Sequence, residues 1–248
     1  MIILSILFFV TALIYSSVGF GGGSTYLAIL LIWGVPYTIF PVIALVCNII
    51  VVSGNSINFI RSKNINFSLL FPYLIGSIPF AFIGGSITIE KSLFEILLFC
   101  VLLVAGIFLL IESKSFNKEQ IKINQIPKSL SISIGSIIGF MSGLVGIGGG
   151  IFLSPILFLM KAGYPRHITS SASLFILINS IFGIAGQLTK DQILDQVIIY
   201  WPLFLWVLVG GQIGSVLNIK FLPNKILALL TSFLVIFVAI RMGIKLIA

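Results

Sequence analysis

The chain has 248 residues, 59% of them hydrophobic and 8% charged, with a mean hydropathy of +1.25 and a formal net charge of +8. A soluble domain is normally about 25% charged, so this composition excludes an aqueous fold and predicts an all-α polytopic membrane protein. The 14 basic residues are scattered through short loops, the usual means of orienting a membrane protein, and this distribution excludes nucleic acid as a partner.

Residues 1–20, MIILSILFFVTALIYSSVGF, carry no Lys or Arg ahead of the apolar stretch and no small-residue cleavage site. They read as part of a mature first helix rather than a secretory signal. The pattern predicts helices over 2–18, 24–34, 37–60, 67–88 and 93–111, then a polar connection over 112–128. Further helices are predicted over 129–145, 151–161, 167–188, 196–219 and 225–247. The first pair in each half spans some 30 residues, too long for one upright crossing and too short for two. Each pair therefore reads as two short helices meeting at a Gly-rich bend.

Residues 18–24, VGFGGGS, match residues 145–151, VGIGGGI, at an offset of 127. Further landmarks follow in the same order: Gly34-Val35-Pro36 with Gly163-Tyr164-Pro165, Pro72 with Pro202, Ile83-Gly84 with Ile213-Gly214, and Glu95-Ile96-Leu97 with Lys225-Ile226-Leu227. The expectation is two homologous repeats, 1–111 and 129–248, joined by the linker 112–128. An odd number of crossings per repeat makes them inverted and splits the basic loop residues ten to four between the two sides. A single kinked crossing at each bend makes them parallel and the split nine to five. The positive-inside rule favours inversion, with both termini on the non-cytoplasmic side of the cell inner (plasma) membrane.

Four glycines in five positions (Gly19, Gly21, Gly22, Gly23) are poor helix formers, each costing roughly 1 kcal/mol relative to Ala. Broken helices at matching positions of two halves are the pattern of secondary transporter sites. A helix restarting after such a bend presents unbonded N–H groups and the positive end of its dipole. Glycine lets an anion approach them without a Cβ in the way. The candidate substrate-binding residues are therefore Gly21, Gly22 and Gly23 with Gly148, Gly149 and Gly150. Ser24 and Thr25 supply hydroxyls able to cap the restarted helix and donate to a ligand, and Ser154 is the later hydroxyl of the second bend. Close packing of small residues is the competing reading of either bend alone.

All six acidic residues fall in or near loops, so no mid-membrane carboxylate is available to hold a cation. That absence favours an anion bound by N–H groups, hydroxyls and amides. Asn48, Ser53 and Asn55 are candidates in the first half, with Ser170, Ser171, Ser173 and Asn179 as counterparts in the second. No metal or other cofactor is expected. His167 and Arg166 start a helix, and two readings stand for each: solvated loop and topology residues, or a gate and an anion-steering charge at the mouth of the pathway. Cys47 and Cys100 read as buried small residues, with a substrate-facing thiol at Cys47 as the alternative.

The stretches SSVGFGGGSTYLAILLIWGVP and SGLVGIGGGIFLSPILFLMKAGYPRHITSSASL resemble the paired Gly-rich motifs of the sulfite exporter TauE/SafE family. The resemblance covers both halves. It implies an inner-membrane transporter of small anions, typically sulfur-containing ones such as sulfite, sulfoacetate or thiosulfate. The family's small-residue segment ends in Thr-Ser, where this chain reads Ala172-Ser173, which makes Ser173 a candidate contact. The first half has Ala44-Leu45 there and lacks the hydroxyl, so the two half-sites are unequal.

The function expected is secondary transport of a small anion by alternating access, with a proton or sodium ion as a possible coupling partner. The alternatives are a passive anion channel and an uptake permease for a non-sulfur organic anion. A membrane enzyme would need a nucleophile with its base, or a cluster of metal ligands, and one His without buried carboxylates disfavours it.

Overall fold

The computed structural model describes residues 1–115, 123–190 and 193–220, with isolated positions at 233, 236 and 240. The helix expected over 225–247 lies outside the described residues. All regular structure among the described residues is helical: α1 (Ile2–Val18), α2 (Gly23–Trp33), α3 (Phe40–Arg61), α4 (Phe67–Ser86), α5 (Lys91–Ser115), α6 (Lys128–Val145), α7 (Gly150–Leu159), α8 (Pro165–Gln187), α9 (Ile193–Val197) and α10 (Trp201–Lys220). Five stretches among them are long and apolar enough to cross a membrane: Tyr37–Arg61, Phe67–Ser86, Lys128–Val145, Arg166–Gln187 and Asp195–Leu217.

Local chemistry sets several boundaries. The Asn66 side chain accepts from the Leu69 N–H at 3.2 Å and opens α4. Pro165 sits at the first position of α8, where a missing N–H costs nothing. Gly34, at φ +75°, closes α2 in the left-handed conformation that glycine adopts without strain. Large apolar side chains such as Phe71, Ile137 and Val216 are exposed, whereas Asn48, Asn55, Ser77 and Ser173 are buried. A bilayer suits that distribution, because lipid solvates the outer apolar face and leaves polar groups to find partners inside.

Small residues let the helices approach closely. On α6, Gly135 lies against Tyr73, Gly139 against Ser77 and Gly143 against Ala81 of α4, so these two helices run side by side in the same direction. On α10, Gly210 lies against Phe9 and Ala12, and Gly214 against Leu13 and Ser16, so α10 runs parallel to α1 in the same way. A Cβ at Gly139 would lie 2.6 Å from the Ser77 Cα. Gly139→Val is expected to lower stability in detergent by about 1–3 kcal/mol through overpacking, read as a fall in melting temperature. Gly163→Ala, where the nearest atom to a new Cβ is 3.5 Å away, is expected to leave it unchanged.

The cysteine reading divides. Cys47 is fully buried, whereas Cys100 is exposed on α5. An apolar run was no guide to burial at Cys100, because a helix in lipid is apolar on its outer face too.

Candidate functional site

Both Gly-rich segments are tight reversals lined by buried residues. Gly19 and Gly22 have φ +92° and +89°, and Gly146, Gly148 and Gly149 have φ +91°, +84° and +80°. Every one is a conformation that L side chains rarely adopt. The reversal brings α2 back along α1: the rings of Phe8 and Tyr26 stack at 4.8 Å, and the hydroxyls of Tyr15 and Thr25 lie 2.7 Å apart. At the second bend, a Cβ on Gly149 would lie 2.8 Å from Ile138 Cγ2 of α6 and 2.9 Å from Phe175 Cε1 of α8.

The two bends meet at one side chain. Asn48, fully buried in the middle of α3, donates through Nδ2 to the Ile147 carbonyl of the second bend at 3.1 Å. A Cβ at Gly23 would lie 2.7 Å from that Nδ2 and 2.7 Å from the Ile147 carbonyl oxygen. A Cβ at Gly148 would also lie 2.7 Å from Nδ2, and 3.1 Å from Ser180 Oγ. Gly21 faces the other end of the same amide. Gly21, Gly23, Asn48 and Gly148 are thus one cluster, joining sequence positions more than a hundred residues apart. The Asn48 Oδ1 is buried without a hydrogen-bond partner.

The helix starts beside this cluster have no side-chain cap. The N-caps of α2 and α7 are Gly22 and Gly149, and neither Ser24 nor Thr25 caps α2. The capping expectation is corrected here: the helix begins one residue before Ser24, and Thr25 Oγ1 pairs with the Tyr15 hydroxyl instead. Intrahelical bonding to Gly22 begins with the Thr25 and Tyr26 N–H groups, and to Gly149 with those of Phe152 and Leu153. The N–H groups of Gly23, Ser24, Gly150 and Ile151 precede it, as the unbonded first turn of a helix requires.

On α8, the hydroxyls of Ser171, Ser173 and Ser180 and the Oδ1 of Asn179 are buried without partners, while Asn179 Nδ2 donates to the Phe175 carbonyl at 2.9 Å. Ser173 and Ser180, seven residues apart, share one face of α8, whereas Ser171 lies on the opposite face. Ser154 is buried on α7, and Gly150 packs against Ile176 and the Ala172 carbonyl. The remaining hydroxyl and amide candidates have structural partners. Ser53 donates to Ile49 of its own helix, Ser170 donates to the Asn64 and His167 carbonyls, and Asn55 Nδ2 donates to the Ser16 carbonyl at 3.0 Å.

Arg166 is exposed and His167 is half-buried, its ring 5.8 Å from that of Tyr164. Both sit within one turn of Thr169, whose Cγ2 would lie 3.0 Å from a Cβ at Gly19. They stand beside the first bend, although they belong to the second half of the sequence. The reciprocal contact is Pro41, which abuts Gly146 of the second bend.

Sequence reasoning missed Gln187. It is fully buried, and its Nε2 donates to the Gly143 carbonyl at 2.9 Å, near the end of α6. Asn55 does the same at the end of α1, so each helix entering a bend has a carbonyl satisfied by an amide from a long neighbour. An amide side chain closing an apolar run was the available signal, though its burial was not visible in it.

A profile of the family described as Sulfite exporter TauE/SafE matches residues 4–242. The chain belongs to this family. Among relatives, the "Probable membrane transporter protein y4hK" of Sinorhizobium fredii is 28% identical over 236 residues, covering 93% of each chain. The "Probable membrane transporter protein MJ0441" of Methanocaldococcus jannaschii is 29% identical over 249 residues, covering 94% of this chain and 91% of its own. The "Probable membrane transporter protein YunE" of Bacillus subtilis is 22% identical over 260 residues, covering 95% and 94%. No solved structure matches the chain significantly. TauE/SafE membership and five candidate spans make this a multi-pass membrane protein of a transporter family.

Proposed function

We propose that the protein is a secondary transporter of small anions, in particular sulfur oxoanions or organosulfonates of the sulfite, thiosulfate or sulfoacetate type. The observation that carries this reading is the meeting of both glycine bends at Asn48, with two uncapped helix starts beside it. In the proposed bound state, N–H groups at the starts of α2 and α7 hold the anion from opposite sides, and the orphaned hydroxyls Ser173 and Ser180 complete its shell. The Asn48 amide fixes the distance between the bends.

Alternating access would follow from two inverted repeats. In support, α6 lies on α4 as α1 lies on α10, with Gly84 against Phe140 where Gly214 lies against Leu13. Val51 against Gly211 and Asn58 against Ser215 run α3 parallel to α10, and Ser170 on Asn64 just past the end of α3, with Gly183 on Leu45 near its start, runs α8 antiparallel to α3. The repeats are interlocked, because each entry helix packs on the opposite half. Such an arrangement lets α1–α2 and α6–α7 shift against the α3–α8 pair, opening one bend while the other is closed. Inversion places both termini outside the cytoplasm, on the less basic side of the inner membrane.

The test is flux in proteoliposomes loaded in turn with sulfite, thiosulfate, sulfoacetate, sulfate and acetate. Protein-dependent efflux of a sulfur anion, competed by its congeners and not by acetate, is expected. Flux of acetate alone would move the substrate outside sulfur chemistry, and no flux of any anion would overturn the reading.

A further inference from the structure

A cavity of about 180 Å³ opens at the C-terminal end of α8, lined by Thr38, Thr88, Gln187 and Lys190, with Pro41 and Leu144 among its walls. The Lys190 ammonium donates to Gln187 Oε1 at 2.9 Å, and Gln187 donates on to the Gly143 carbonyl at 2.9 Å. Pro41 abuts Gly146 and Leu144 lies two residues before it, so the cavity ends against the second bend. Its volume equals that of about six waters at ~30 Å³ each, enough for a small anion with a few waters.

We propose that this cavity is the receiving vestibule of the second bend, in which Lys190 and the hydroxyls of Thr38 and Thr88 capture the small anion before it reaches Asn48. The inference rests on the transport reading and names the residue that recruits substrate at one mouth. Among the described residues Lys190 has a neutral amide for a partner, and a half-buried cation held that way is a good anion receptor, because desolvation strengthens its attraction for an incoming charge. Glu90 on the α4–α5 connection, Lys91 at the start of α5 and Asp195 on α9 are exposed and do not line the cavity. Asp191 lies outside the described residues. At the other end of α8, Arg166 is exposed near Thr169.

Burial lowers the Lys190 ammonium from its usual 10.5 to about 8. The charge is present below that value and lost above it, so capture weakens as the pH rises from 7 to 9. The experiment measures uptake against concentration at equal pH on both sides, using sulfoacetate or sulfate, which stay fully ionised over this range. Wild type is expected to show a KM about five- to tenfold higher at pH 9 than at pH 7, with little change in maximal rate. Lys190→Arg, charged throughout, is expected to remove most of that rise. Lys190→Gln is expected to show the high KM already at pH 7. The same rise in Lys190→Arg as in wild type, or a wild-type KM in Lys190→Gln, would overturn the proposal.

A second readout does not depend on transport. Acetylation of Lys190 by an amine-reactive ester, followed by mass spectrometry, is expected to slow in sulfoacetate relative to chloride of equal ionic strength, while acetylation of Lys91 does not. Absence of protection would overturn the vestibule. Absence of all flux in wild type would overturn the transport reading separately, with the labelling still deciding whether the cavity binds anions.

Discussion

Asn48→Ala is expected to reduce anion flux by roughly 10- to 100-fold with little loss of membrane-inserted protein. The side chain lies at the one point where both bends meet, and its amide donates across the halves to Ile147. Removing it leaves that carbonyl buried and unpaired, a loss of about 1–3 kcal/mol at the site. It also opens space beside Gly23 and Gly148, so the distance between the two helix starts is no longer held. Asn48→Asp is the sharper variant, because a carboxylate of nearly the same shape repels the anion and offers no amide donor to Ile147. Flux in both variants within twofold of wild type would show that Asn48 only packs.

Gly22→Val and Gly149→Val are expected to abolish transport while leaving insertion intact. At φ +89° and +80° a β-branched residue carries backbone strain of about 1–2 kcal/mol or more. The space is closed as well, since a Cβ on Gly149 meets Ile138 and Phe175, and one on Gly22 lies 3.1 Å from Thr11 Cγ2. Gly34→Val separates strain from site: its φ is +75°, yet nothing lies within 4 Å of a new Cβ. That variant shares the backbone strain but is expected to keep transporting. Normal flux in both Gly22→Val and Gly149→Val would remove the bends from the substrate pathway.

The helices were legible in the sequence because lipid demands long apolar runs, and the interruptions at residues 19–23 and 146–150 stood out against them. The observed starts and ends of α1, α2, α3, α6, α7 and α8 fall within three residues of those read from the pattern. The bends were legible for the same reason, since Gly19, Gly22, Gly146, Gly148 and Gly149 occupy backbone conformations that few other residues accept. Their convergence on Asn48 was not, because it depends on how α3 crosses the second bend, and no local pattern encodes that crossing. Thr25 was misread for a related reason: a hydroxyl after a bend suggests a cap, but the Tyr15 hydroxyl reaches it first. Gln187 and Lys190 escaped notice because a helix end in a loop-like sequence gives no sign of being roofed by Thr38 and Thr88 from elsewhere in the chain.

Uphill accumulation tests the central claim most directly. Proteoliposomes holding the purified protein would be placed in a low concentration of the transported sulfur anion, with a proton gradient, a sodium gradient or neither. The expected result is accumulation inside above the equilibrium concentration with one gradient, and its loss when that gradient is collapsed. Movement that only ever runs down the anion's own gradient, whichever ion gradient is imposed, would contradict coupled transport and identify a passive conduit.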